Sequence, residues 1–323
     1  MRNIFCFLGT MVFCVNTFCS PADSTIKTND STVKHVKPIK PLKTKIYNVN
    51  YFVSGSIIAV GMAGDFFAIP RLKSKPKITE AELTFINTDQ QKNLINSIDR
   101  WSLRQKASDR SLYKKISDDG EIGIFLIPSL LMIDKKIRKD WLHLLFMYVE
   151  GHTITFTFYN YSPLGPTFVN RYRPAVYYSE IPDTIRMNDN NSRNSFFSGH
   201  VGSCAYSTFF MAKVYCDYHP NIGAFKYLLY LAASVPPLAI GYARIKSLDH
   251  FPSDVAVGFV LGATIGIVVP ALHKLACSKY LSLGMFDSPD GMGLTIRLNL
   301  LNKRLLTSSS LIVKDRSHIK MSE

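Results

Sequence analysis

The strongest constraint on the fold is a series of apolar segments from residue 122 onward, separated by loops rich in Lys and Arg. These segments lie at about 122–133, 141–161, 199–216, 225–242 and 253–272. Most are long enough to cross a bilayer as helices, in which each backbone polar group is satisfied internally. With 47% hydrophobic and 19% charged residues, most of the chain is too apolar to be disordered. We therefore predict an all-α fold, a polytopic membrane bundle of five to six transmembrane helices.

The N-terminal region is predicted to lie outside this bundle. Residues 1–22 contain one early cation, an apolar run from Ile4 to Val15 and small residues near the end, which is typical of a signal peptide or an N-terminal anchor. Residues 23–50 are polar, rich in Lys and interrupted by two prolines, which predicts a basic flexible linker. Residues 51–121 combine a glycine-rich apolar segment with an amphipathic surface region, which we expect along the membrane.

The basic loops indicate how the bundle is oriented. Loop 134–140 carries four cations in seven residues, so the positive-inside tendency places it in the cytoplasm. Loops 162–198 and 243–252 then fall together on the external face. A cleaved signal peptide followed by a spanning segment 51–69 would reverse this orientation. Either the leader is unprocessed and does not cross, or segment 51–69 is re-entrant or interfacial, and we favour the second alternative because it keeps each later loop on its expected side.

Charge and cysteine usage exclude several other classes of protein. The net charge of +14 comes largely from loops beside apolar segments, and the sequence holds no pattern typical of a nucleic-acid-binding module. No nucleic-acid partner is therefore expected. Three of the six cysteines lie in residues 1–22 and the others lack paired spacing, so neither a disulfide framework nor a metal cluster is predicted.

Ionisable and small polar residues gather in the two external loops and at the adjacent helix ends. They are Arg173, Ser198, Gly199, His200, Arg244, His250 and Asp254. Each of the two guanidinium groups can bind an oxyanion. A helix begins at the Ser-Gly-His sequence, and its free N–H groups favour an anion. His250 and Asp254 are four residues apart, so we expect the carboxylate to bond one ring nitrogen and leave the other as a nucleophile or base. This set of groups predicts a site for a phosphate.

Other ionisable residues are assigned structural roles. Asp249 is expected to pair with Lys246 or to cap the following helix, because a position next to His250 is not the spacing that orients a ring. Four further histidines have no matching partners in the sequence and are predicted to be packing, interface or loop residues: His143, His152, His219 and His273.

Three ordered motifs in this region resemble those of a known family. They are Arg173-Pro174, Ser198-Gly199-His200 and Arg244-x5-His250-x3-Asp254. In this order they resemble the motifs of the type 2 phosphatidic acid phosphatase (PAP2) superfamily, which includes the vanadium haloperoxidases. The resemblance covers roughly residues 120–272. It implies a PAP2/haloperoxidase-like transmembrane catalytic domain at 122–274, followed by a C-terminal tail at 275–323.

The sequence departs from the family pattern at three positions. Pro166 stands where the family has a Lys, Phe197 replaces the Pro before Ser-Gly-His, and Ala243 replaces the Ser before the third-motif Arg. The missing Lys removes a cation that would bind phosphate, and Arg171 is the candidate to replace its charge.

The resemblance implies a metal-independent phosphohydrolase without a cofactor. His250 would attack phosphorus to form a phosphohistidine, Asp254 would orient His250, and His200 would protonate the leaving oxygen. Negative charge on the phosphate oxygens would be stabilised by Arg173, Arg244, Ser198 and Gly199, with Arg171 as the substitute cation.

The expected function is that of a membrane lipid phosphatase, because apolar helices beside the site give lipid chains lateral access. By resemblance, the candidate substrates are undecaprenyl diphosphate, phosphatidylglycerophosphate, phosphatidic acid and lipid A type phosphates. The expected location is the cell (inner) membrane, as a multi-pass protein whose site faces the periplasm or the exterior.

Two alternatives stay open. One is a catalytically weakened PAP2-like protein that binds lipid phosphates, motivated by Pro166, and the other is a vanadate-dependent haloperoxidase, which the apolar helices disfavour.

Overall fold

The computed structural model describes residues 45–188, 191–276, 281–288 and 291–298. The predicted signal peptide or anchor at 1–22 lies outside the described residues, as do most of the linker at 23–50 and much of the tail at 275–323. The described chain is predominantly helical, which confirms the predicted fold class.

The bounds of the elements are as follows. The α-helices are α1 (Tyr51–Lys73), α2 (Glu80–Ile86), α3 (Asp89–Asn93), α4 (Arg110–Leu126), α5 (Trp141–Tyr161), α6 (Asp183–Asn188), α7 (Gly199–Tyr218), α8 (Phe225–Lys246) and α9 (Pro252–Ala276). Short 3-10 helices lie at Asp99–Arg104, Ala107–Asp109, Ile127–Ile133, Ile137–Asp140, Pro174–Tyr177 and Pro220–Ile222. After the bundle, strands β1 (Leu281–Ser288) and β2 (Gly291–Leu298) pair antiparallel, with Leu281 opposite Leu298.

Three of the described helices are long and apolar enough to cross a membrane, namely α1, α8 and α9 as far as Lys274. α1 begins after Asn50, whose side chain accepts hydrogen bonds from two N–H groups of the first turn. The outer face of α1 is strongly exposed, with Val60 at 74% and Phe66 at 71%. Apolar helix faces of this kind contact lipid in a membrane protein.

α1 packs parallel to α5 along most of its length. The rings of Tyr51 and His143, near the starts of the two helices, lie 5.5 Å apart. Toward the other end, the side chain of Asn160 donates a hydrogen bond to Asp65 at 2.8 Å. α1 is therefore one continuous helix that runs between the two ends of the bundle, and the expectation that segment 51–69 is re-entrant or interfacial is wrong.

α4 and the 3-10 helix that follows it also run between the two ends of the bundle. Asp118 in α4 pairs with Arg244 at the end of α8, at 3.0 Å. Asp134, just beyond the 3-10 helix, pairs with His219 after α7, at 2.7 Å. The prediction that this part of the chain lies on the membrane surface is therefore wrong for α4. The apolar segment 122–133 is only the second half of its passage through the bundle.

The described chain makes six passages between the two ends of the bundle, by α1, α4 with its 3-10 extension, α5, α7, α8 and α9. This number agrees with the predicted five to six helices. The hydroxyl of Tyr47 donates to Asp217 near the end of α7 at 2.8 Å, and the N–H of Asn48 donates to the carbonyl of His273 at 3.1 Å. The residues before α1 thus lie at the same end as loop 134–140.

α7 and α9 approach at backbone contact distance. A Cβ atom at Gly258, Gly262 or Gly266 of α9 would collide with backbone atoms of α7, so only glycine permits this packing. The close approach brings the first turns of the two helices together, and the N–H of Ser198 donates to the carbonyl of Asp254 at 3.1 Å. The start of α7, the end of α8 and the start of α9 therefore lie side by side.

Candidate active site

The turn between α8 and α9 folds the chain back over the end of α8. The N–H of Leu248 donates to the carbonyl of Ile245 at 3.0 Å and that of Asp249 to the carbonyl of Arg244 at 3.2 Å, which is the Schellman pattern. Leu248 takes the left-handed position at φ 61°, where glycine is usual, at a cost of about 1–2 kcal/mol. Its side chain is fully buried, which offsets this cost. The motif carries Asp249 and His250 directly over Arg244.

Asp249 joins the two arginines of the predicted phosphate site. Its carboxylate oxygens lie 2.6 Å from Nη1 of Arg173 and 3.1 Å from Nη2 of Arg244, and the Ser247 hydroxyl donates to it at 2.8 Å. Burial would raise the pKa of Asp249, but the two guanidinium groups outweigh burial and hold that pKa well below its usual range. Asp249 is therefore a charged member of the site.

The prediction that Asp249 pairs with Lys246 or caps the next helix is wrong. The ammonium of Lys246 instead lies over the ring of Tyr113, 5.6 Å from its centroid. The sequence indicates this pairing with the arginines only by the position of Asp249, a carboxylate between Arg244 and His250 on a face rich in cations.

Three buried donors at this site have no hydrogen-bond partner within the described residues. They are Nε of Arg173, Nε of Arg244 and the hydroxyl of Ser198. Ser198 precedes α7 with extended backbone angles, and its side chain makes no capping hydrogen bond to the first turn of α7. Buried polar groups are normally satisfied, so such a set of donors at a helix N-terminus is suited to an anion. Gly199, which has no side chain, packs against the ring of Tyr159 in this first turn.

His250 is held by the backbone of Ser195 and not by Asp254. Nδ1 of His250 lies 2.6 Å from the carbonyl oxygen of Ser195, whereas the nearest oxygen of Asp254 lies 4.0 Å from that nitrogen. Asp254 instead accepts hydrogen bonds from the Ser195 hydroxyl at 2.6 Å and from the N–H of Phe251 at 2.8 Å. The predicted direct bond from Asp254 to the ring is wrong, because this carboxylate turns back to cap the start of its own helix.

Ser195 therefore connects the acid to the imidazole, and sequence reasoning missed it. A carbonyl oxygen only accepts hydrogen bonds, so Nδ1 of His250 carries the proton and Nε2 has a free lone pair. His250 is 2% exposed, and this burial, together with the charges of Arg244 and Arg173, lowers its pKa well below the usual range. The ring is neutral near pH 7.

Arg171 does not replace the missing cation of the first motif. Its Nη1 donates to Asp254 and, at 2.9 Å, to the Ser253 hydroxyl, while Nη2 donates to Asp99 at 2.6 Å. Its guanidinium carbon lies 4.5 Å from the centroid of the Phe251 ring. Because both buried carboxylates engage it, Arg171 positions Asp254, and the prediction that it binds phosphate is wrong. Asp99, which the sequence did not single out, is part of this arrangement.

His200, in the first turn of α7, is in contact with two carboxylates of α4. Its Nε2 lies 3.0 Å from Oδ1 of Asp118 and 3.2 Å from Oε2 of Glu121. Nη1 of Arg244 lies 3.0 Å from the same oxygen of Asp118 and 3.1 Å from the hydroxyl of Ser117. Neither carboxylate was predicted, because α4 was expected on the membrane surface.

The structure thus gathers the predicted residues at one end of the bundle. Arg244 connects them, because its side chain contacts Asp118 and Asp249 and its carbonyl accepts the N–H of His250 at 3.3 Å. Pro166 lies buried beside the turn at Gly165. The other histidines contact other parts of the bundle: His143 lies beside Tyr51, His152 bonds Ser207, His219 pairs with Asp134 and His273 with Glu150.

Comparison with known proteins finds a family match for part of the chain. The sequence model of the PAP2 superfamily matches residues 140–276. No curated protein matches the chain. Among solved structures, the chain is similar to that of a transmembrane PAP2 type phosphatidylglycerolphosphate phosphatase from Bacillus subtilis, with 17% sequence identity and a TM-score of 0.39. That similarity covers 67% of this chain and 94% of the other.

Proposed function

We propose that this chain, which belongs to the PAP2 superfamily through residues 140–276, is a membrane lipid phosphatase that acts through a phosphohistidine on His250. The observation that carries the proposal is a set of buried donors without partners among the described residues, namely Nε of Arg173, Nε of Arg244 and the Ser198 hydroxyl. They lie in the same cluster as a neutral imidazole with a free lone pair. A phosphoryl group satisfies such donors and presents an electrophile to such a nucleophile.

The proposed reaction has two steps. In the first, Nε2 of His250 attacks phosphorus, the bond from phosphorus to the leaving oxygen breaks, and His200 gives a proton to that oxygen. In the second, His200 takes a proton from a water that attacks phosphorus, and the bond from phosphorus to nitrogen breaks. Arg173, Arg244 and the Ser198 hydroxyl stabilise the charge on the three equatorial oxygens in both steps. In this scheme the two guanidinium groups supply the positive charge, and no metal is required.

A lipid carries the phosphate in this proposal, because the site lies at the end of helices whose outer faces are apolar. On α8, whose last turn carries Arg244, Val235 is 60% exposed and Leu238 50% exposed. Chains of a bilayer lipid can lie along this face while the headgroup meets the arginines. The substrate is then a lipid phosphate monoester or diphosphate, of the undecaprenyl diphosphate, phosphatidylglycerophosphate, phosphatidic acid or lipid A type.

The proposed location is the cell membrane, with the site on the periplasmic or external face. The basic loop 134–140 lies at the bundle end opposite the site, and the positive-inside tendency assigns that end to the cytoplasm. The six passages place the residues before α1 at the same cytoplasmic end.

The test is phosphate release by the detergent-purified protein from a panel of these lipid phosphates in excess EDTA. We expect release from at least one lipid at the same rate with and without EDTA. A requirement for added metal would overturn the metal-independent scheme. Binding of the lipid phosphates without any release would favour the weakened PAP2-like binding protein, for which the uncharged position 166 is the motivating observation.

The pH dependence should reflect the lowered pKa of His250. Its burial and the nearby arginines keep the ring neutral below pH 6.5, so the nucleophile remains available as the pH falls. We expect kcat/KM, corrected for the ionisation of the substrate, not to fall between about pH 7 and 5.5. An unperturbed histidine would instead lose about tenfold over this range. An acid limb with an apparent pKa near 6.5 would contradict the assignment.

A further inference from the structure

The nearest charged partners of His200 come from outside the region that the family model matches. Asp118 and Glu121 belong to α4 at Arg110–Leu126, whereas the match begins at residue 140. Both carboxylates contact Nε2 of His200, at 3.0 and 3.2 Å. Carboxylates only accept hydrogen bonds when ionised, so Nε2 carries a proton. The other ring nitrogen, Nδ1, makes no hydrogen bond within the described part of the chain.

The charges around His200 explain why such partners are needed. The guanidinium of Arg244 contacts the same oxygen of Asp118 as His200 does, so a positive charge lies next to the ring. A neighbouring cation disfavours the imidazolium form, and a neighbouring carboxylate favours it. A general acid must carry its proton before the leaving oxygen departs. Asp118 supplies the negative charge that offsets Arg244 at this point.

α4 is fixed in place against α8 where it carries these carboxylates. A Cβ atom at Gly120 would lie 2.6 Å from Cδ1 of Ile240, so the two helices approach closely at this glycine. Beside it, the hydroxyl of Ser117 accepts a hydrogen bond from Arg244 at 3.1 Å. This close packing holds Asp118 between the acid and the phosphate-binding arginine.

We propose that Asp118, assisted by Glu121, is a positioning residue that orients His200 toward the leaving oxygen and favours the protonated ring from which the proton is delivered. The proposal rests on the proposed function and deepens it. The proton on Nδ1 moves to the leaving oxygen as the bond from phosphorus to that oxygen breaks and the bond from phosphorus to Nε2 of His250 forms. Nε2 of His200 stays hydrogen-bonded to the carboxylates. In the second step Nδ1 takes a proton back from the attacking water.

The test compares two leaving groups in the Asp118→Asn variant. An alkyl phosphate such as lysophosphatidate needs a proton on its leaving oxygen, whereas 4-nitrophenyl phosphate leaves as a stable phenolate. We expect kcat to fall about 100-fold for the alkyl phosphate and less than about fivefold for the aryl phosphate, in line with the usual size of general acid catalysis. The alkaline limb of the kcat–pH profile should also move to lower pH. KM should rise for both substrates, because Asp118 also holds Arg244.

The control is Asp119→Asn, which removes the same charge from the neighbouring, exposed position of α4 and should leave both kcat values unchanged. Equal loss of kcat on the two substrates, or no loss on either, would overturn the proposal. If Asp118→Asn does not fold, the same comparison of kcat on the two substrates is made with Glu121→Gln, and the same outcomes support or overturn the proposal. No phosphate release by the wild-type protein from any lipid phosphate of the panel would refute the proposed function itself, which is a different outcome.

Discussion

Replacing His250 with glutamine is expected to lower kcat for phosphate release from the best lipid substrate by about 10⁴-fold or more. The amide N–H of glutamine can still donate to the carbonyl of Ser195, which His250 now reaches at 2.6 Å. It offers no lone pair that can attack phosphorus, so the fold is kept and the nucleophile is lost. The measurement is phosphate release by the detergent-purified variant, with its elution volume and thermal transition compared with wild type.

A matched control for this variant is His143→Gln. His143 lies at the other end of the bundle, where its ring is 5.5 Å from that of Tyr51, and it contacts no residue of the site. Its kcat should equal that of wild type. More than a tenth of the activity surviving in His250→Gln, with the control normal, would mean that another group attacks phosphorus.

Replacing Asp249 with alanine is expected to destabilise the protein by about 3–5 kcal/mol and to lower kcat/KM by at least about 100-fold. The reason is that Arg173 and Arg244, both buried, share this carboxylate at 2.6 and 3.1 Å. Without it, two like charges remain close together, and Arg173 loses the carboxylate that compensates its charge. The effects should be seen as a lower thermal transition in detergent and as a loss of phosphate release.

Asp249→Asn separates charge from shape in this experiment. Asparagine keeps the volume of the side chain and one hydrogen-bond acceptor but removes the negative charge. The Asp249→Asn variant should therefore be destabilised less than Asp249→Ala and should still lose much of its activity. A wild-type thermal transition and wild-type activity in Asp249→Ala would show that the carboxylate is not needed to hold the two arginines.

The position of the candidate site could be predicted from the sequence because the ends of the apolar segments determine which residues share a face. Ser198 precedes one helix, Arg244 ends the next, and Asp254 opens the last. Helices that cross a layer of fixed thickness in alternating directions bring these ends to one side. The three ordered motifs indicated the same set of residues.

The partners of these residues could not be predicted, because they depend on contacts between distant parts of the chain. Asp99 meets Arg171 across 72 residues, and Asp118 meets Arg244 across 126. The amphipathic pattern of α4 predicts a surface helix. The same pattern suits a helix whose polar side chains face the site and whose apolar side chains face lipid.

Local geometry also determines the partner of His250 and the role of Arg171, which the spacing of residues in the sequence leaves open. The four-residue spacing of His250 and Asp254 permits a direct bond, but the carboxylate caps the start of α9 and reaches the ring only through Ser195. Arg171 looked like a free cation near Arg173 in the sequence. It is in fact held by two buried carboxylates, which no pattern near position 171 indicated.

Trapping the phosphoryl group on His250 tests the proposed mechanism most directly. Excess protein is mixed with a lipid phosphate radiolabelled at phosphorus and quenched in alkali within one turnover, and the labelled peptide is identified. We expect label on the peptide that contains His250, stable in base and lost in acid, in wild type and not in His250→Gln. Phosphate release by wild type without any label on the protein, or equal label in the variant, would contradict a phosphohistidine at this position.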